Sequence, residues 1–117
     1  MTLELSVVFP ALVLFVFLSV QAGLWWHARQ VALAAAQEGV EAAQVEGADD
    51  MDGAAAAARF LAQAGHMSEV TVRVRRGADA VAVSVEGDAF QVVPFGTWPV
   101  AVSASGPLER AVAQPAR

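Results

Sequence analysis

From Leu5 to Trp26 the chain has no charged side chain, and Ser6, Ser19 and Gln21 are the only polar residues in the run. As a helix rising about 1.5 Å per residue, this stretch reaches roughly 33 Å, the thickness of a bilayer's ~30 Å hydrocarbon core. The pattern predicts a transmembrane helix over residues 1–26. Trp25, Trp26 and Arg29 fall at its C-terminal end, where amphipathic rings and a basic side chain favour the headgroup region. A signal peptide fits less well, because those begin with basic residues and end at a small-residue cleavage site. Here an acid, Glu4, leads the run and two tryptophans close it. A soluble core helix fits poorly too, since the rest of the chain has little apolar surface with which to wrap a helix hydrophobic on every side.

Beyond Trp26 the pattern changes without a break. Leu33, Ala36, Val40 and Ala43 recur at three- and four-residue spacing, while Gln30, Gln37, Glu41 and Gln44 take another face. Residues 27–46 are therefore expected to extend the same helix amphipathically, giving a rod of roughly 65 Å. Its stripe is mostly alanine, which buries little area but permits close helix approach, both to the chain's own domain and to sister subunits. Pro10 removes the hydrogen bond to the Ser6 carbonyl, so a kink is expected near residues 6–10.

Residues 47–117 read as a small domain with a loose tail. Asp52 is the expected cap of a second helix over residues 53–64, with Ala57, Phe60, Leu61 and Ala64 buried and Gly65 as a left-handed C-terminal cap. Val70, Val72 and Val74, then Val81, Val83 and Val85, alternate with polar or small residues as two half-buried strands. A turn centred on Gly77-Ala78 would pair Val74 with Val81, Val72 with Val83 and Val70 with Val85. Residues 100–105 add a third strand. Between strands, Phe90, Val92, Phe95 and Trp98 are expected to close an edge of the core; if they protrude, they form a subunit contact or a membrane-surface foot. The fold class is thus α+β: a long membrane-spanning helix, a short helix and a three-stranded antiparallel sheet.

Charge and chemistry narrow the function. The net charge of −5 argues against nucleic acid, and Arg73, Arg75 and Arg76 are the only basic cluster. With no cysteine there is no disulfide framework or thiolate metal site. Asp49, Asp50 and Asp52 invite a calcium reading, but Ala48 and Arg59 stand where an EF-hand loop needs acids. His27 and His66 belong to separate elements, and no nucleophile elbow or phosphate loop is present. The expectation is a non-enzyme without cofactor or metal.

Glu4, Pro10, the apolar run, Gln21-x-Gly23, Ala28-Arg29-Gln30 and Ala35-Ala36-Gln37-Glu38-Gly39-x-x-Ala42-Ala43, in that order and spacing, resemble the N-terminal module of TadE-like proteins. These are pilin-like (pseudopilin) subunits of tight-adherence pilus systems. The resemblance implies a structural subunit held in the bacterial inner membrane by a single pass, with residues 47–117 extracytoplasmic. Its implied partners are membrane lipid, sister pilin-like subunits, the pilus assembly machinery and a prepilin peptidase. In that family a basic leader is removed after a glycine a few residues before the glutamate, and the glutamate, here Glu4, docks incoming subunits. This sequence departs from the pattern: Glu4 follows Met1 closely, with no leader or cleavage glycine before it, and Glu41 stands where many relatives carry a basic residue. The alternative function is a membrane-anchored interaction domain of the cell envelope that does not polymerise.

Overall fold

A computed structural model describes residues 2–45, 48–65 and 67–108. Five elements follow in order: α1 (Thr2–Gln44), α2 (Asp50–Ala64), β1 (Met67–Arg76), β2 (Ala80–Ala89) and β3 (Pro99–Pro107). The molecule is long and thin, with principal extents of 79 × 27 × 20 Å. The expected elements are all present, and α1 carries the membrane-type run and its amphipathic continuation as one helix. It ends at Gln44, short of the expected residue 46, which lies outside the described residues, as do His66 and the expected tail at 114–117.

The strands form an antiparallel sheet in the order β1-β2-β3. Val81, Val83 and Val85 are buried, and Val70, Val72 and Val74 are half-buried on the same face, where α1 packs on β2 and β3 and α2 packs on β1. The face agrees with the alternation, but the register does not. Val74 pairs with Val83 and Val72 with Val85, because the turn is centred on Ala78-Asp79 and the Gly77 N–H donates to the Ala80 carbonyl at 2.8 Å. The pairing is displaced by two residues from that expected, which leaves every side chain on its own face.

A bulge interrupts β1. Ser68 pairs with Asp88 and Thr71 with Glu86, so Glu69 and Val70 together oppose Gly87. Glu69, the first residue of the bulge, takes a positive φ of 53°, a conformation that bulges usually give to glycine. A Cβ at position 87 would crowd the Met67 methyl, the Ser68 carbonyl and Val70, so the space under the bulge is tight for any side chain.

The α2 start also differs from expectation. Asp49, not Asp52, is the N-cap: its Oδ1 accepts the Asp52 N–H at 3.1 Å, while Asp52 Oδ2 accepts the Asp49 N–H at 2.8 Å. This reciprocal capping box adds a first turn at residues 50–52. At the other end, Gly65 has φ 70° and ψ −170°, a glycine conformation with positive φ but outside the left-handed helical region, and its N–H bonds to the Leu61 carbonyl.

Candidate membrane and subunit interface

Two regions of α1 differ sharply in exposure. From Thr2 to Val20 no residue is buried, although nearly all are apolar. From Gln21 onward one stripe is buried: Gln21, Ala28, Ala32, Ala35, Ala36, Gly39, Val40 and Ala43. Those positions recur at helical spacing and have small side chains, so the sheet and α2 lie close against the helix axis. Ala36, Val40 and Ala43 of the expected packing set are covered by the chain's own domain, and Leu33 is half-covered beside them.

Gln21 is the lowest point of that contact and the only buried polar residue among those described. Its Nε2 donates to the Phe90 carbonyl at 2.9 Å, and its Oε1 accepts the N–H groups of Val92 (2.8 Å) and Val93 (3.1 Å). One amide thereby satisfies three backbone groups of a loop that has no ladder partners there, which is what lets a polar side chain be buried without penalty. One helical turn further on, Trp25 Nε1 donates to the Pro99 carbonyl at 2.8 Å. Within the loop, Gln91 Nε2 donates to Val93 at 2.6 Å, and the Ala89 N–H donates to the Trp98 carbonyl, closing it on itself.

The loop corrects one expectation. Val93 is the residue it buries fully, whereas Phe90 and Phe95 are each 55% exposed and Val92 and Trp98 are half-buried. Trp98 packs against the core cluster, and Val93, whose own N–H is held by Gln21, is the loop side chain turned fully inward.

Far from this loop, the opposite end of the domain is tied by Arg76. Its Nε donates to Asp50 Oδ1 at 2.9 Å, and Nη2 reaches the Ala43 carbonyl at 3.3 Å and the Ala48 carbonyl at 3.4 Å. A guanidinium thus meets a carbonyl of the last turn of α1, one of the connection and the first turn of α2 together. The three clustered aspartates are accounted for by these contacts: Asp49 and Asp52 cap α2, and Asp50 pairs with Arg76.

The remaining predicted site residues lie on α1. Glu4 is exposed in the first turn. Pro10 lies inside the helix, which continues through it, and Ser19 returns its hydroxyl to the Phe15 carbonyl at 2.9 Å, so its polarity is spent internally. Trp26 is exposed and Arg29 half-buried.

Residues 1–41 match the family model described as TadE-like protein. The N-terminal segment of the chain is TadE-like. No curated protein and no solved structure matches the chain. The TadE-like match ends just short of the α1 terminus, so it covers the exposed apolar part and most of the stripe on which the domain is seated. Together the TadE-like segment and the apolar helix fit a membrane-anchored protein associated with a tight-adherence pilus. Gln21 falls within the resembling motif, but the local pattern assigns it no role. The available signal was a lone amide, capable of four hydrogen bonds, in a run otherwise unable to satisfy it.

Proposed function

We propose that this chain is a structural, pilin-like subunit that waits in the inner membrane and then joins or primes a tight-adherence pilus, working by packing rather than by catalysis. The observation that carries this reading is the coincidence of the TadE-like match with one helix, apolar and exposed as far as Val20 and bearing the folded domain from Gln21 onward. Since the domain covers the alanine stripe, the exposed stretch Thr2–Val20 supplies the contacts with sister subunits. The Leu, Val and Phe side chains there exchange lipid for helix neighbours at little net cost.

Glu4 is assigned the docking role. Once several helix ends bundle away from water, an unpaired carboxylate is costly, and an ammonium group on a neighbouring subunit offsets that cost. In a deletion strain, Glu4→Ala should leave the protein membrane-bound and its domain folded while blocking entry into pili. Glu4→Asp, which keeps the charge but loses reach, should fall between. Normal piliation with Glu4→Ala would refute the docking role.

The reading also orients the chain, with the N-terminus cytoplasmic and residues 53–117 outside. Protease added to intact spheroplasts should digest the domain; its protection would reverse the topology.

A further inference from the structure

We infer that the 90–98 loop is a membrane-surface foot: the domain rests on the bilayer that α1 crosses, with Phe90 and Phe95 inserted at the headgroup boundary. This rests on the reading of α1 as a membrane anchor and adds a second contact with the same bilayer.

The placement follows from lengths. Counted from Leu5, just past the charged Glu4, about 30 Å of helix ends near Leu24, so the edge of a ~30 Å hydrocarbon core falls between Gln21 and Trp25. Gln21 marks the inner side of that edge. At that residue the loop begins, because Gln21 holds the backbone of Phe90, Val92 and Val93, and Trp25 holds Pro99 one turn above. The two exposed phenylalanines thus emerge beside the helix at the level where it leaves the hydrocarbon.

Composition agrees with that position. Residues 89–99 contain no charged side chain. Trp25, Trp98 and the 57%-exposed Trp26 gather at the same level of α1, giving the belt of aromatic residues that favours a membrane–water boundary. Phe90 and Phe95 are each more than half exposed in a loop cross-tied by Gln91, and among the described residues neither packs into the core cluster. Seated in the headgroup layer, their rings are removed from water, as in proteins that lie on a bilayer surface.

The chain contains no cysteine, so single labelling sites can be introduced directly. The full 117-residue chain is reconstituted into phosphatidylcholine vesicles with a fluorophore on Phe95→Cys, or on Thr97→Cys, which keeps both phenylalanines. Labels on Phe15→Cys, in the exposed apolar helix, and on Arg75→Cys, at the far end of the sheet, serve as references. Lipids carrying a nitroxide at the headgroup or deep in the acyl chain act as quenchers.

The expected result is several-fold stronger quenching at positions 95 and 97 than at 75, with the headgroup quencher more effective than the deep one and the order reversed at 15. Quenching at 95 and 97 no greater than at 75, with Phe15→Cys still quenched, overturns the foot and leaves the anchor standing. An unquenched label at 15 overturns the anchor and the foot together. Labels at 95 and 97 that escape lipid quenching but respond to excess unlabelled chain would make the loop a contact between copies, which also overturns the proposal.

Discussion

Gly39 and Gly53 meet backbone to backbone: a Cβ on either would lie 3.0 Å from the carbonyl oxygen of the other. No pair of side chains is interposed, so α1 and α2 approach as closely as two helices can. Val83 of the central strand fills the space beside Gly39, 3.1 Å from where its Cβ would be. Both helices and the central strand therefore converge on one point, and the glycines are what allow it.

Gly39→Ala should destabilise the domain even though alanine is the better helix former. The added methyl meets rigid backbone, so the helices must part; overpacking of this kind costs about 1–3 kcal/mol, against about 1 kcal/mol regained in helix propensity. Gly23 is the control, since nothing lies within 4 Å of its Cβ position. Denaturant unfolding of the full chain in detergent should show a lowered midpoint for Gly39→Ala and an unchanged or raised one for Gly23→Ala.

Replacing Gln21 tests the anchor of the loop. Gln21→Leu keeps the size of the side chain but strands the Val92 and Val93 N–H groups and the Phe90 carbonyl, an expected loss of about 2–4 kcal/mol. Gln21→Glu preserves an acceptor for both N–H groups but turns an oxygen toward the Phe90 carbonyl, so it should not restore stability. Amide hydrogen exchange at Val92 and Val93 should accelerate in Gln21→Leu, with β2 protection retained. Unchanged exchange at those two amides would contradict the role given to Gln21.

At the other end of the domain, Arg76→Ala removes hydrogen bonds to Asp50, Ala43 and Ala48 together. The pair itself is partly solvated, and most of the loss comes from the freed helix-end carbonyls, about 1–2 kcal/mol in all. Its neighbour Arg75 points to the exposed face, and Arg75→Ala should move the melting midpoint little. Equal effects from the two substitutions would show that Arg76 ties nothing together.

Periodicity made much of this architecture legible. A charge-free run of bilayer length and an alanine stripe at helical spacing both read as helix, valines at alternate positions read as strands, and the chain forms those elements. The hairpin register was not legible to the same degree. Gly77 invites a turn that it opens, whereas the chain turns one residue later, and a two-residue displacement keeps the valines buried in either case. Asp49 was hidden among three acids, each a competent cap, because the choice depends on a partner three residues on. Gln21 and the loop it holds are separated by about seventy residues. No local pattern reports such a contact, and a segment with two prolines and a glycine has no period from which to decide that Val93, not Phe95, turns inward.

The unbroken course of α1 has a mechanical consequence. With no hinge between the apolar stretch and the seated domain, and with Gln21 and Trp25 clamping the loop to the helix, head and stem rotate as one body. A helix tilt of about 20°, ordinary in bilayers, would carry the distal end of the domain about 12 Å sideways over the roughly 35 Å from Gln21 to Gln44. The outer surface thus acts as a pointer that magnifies the inclination of the stem, and a neighbour that straightens or leans the helix changes what the head can reach.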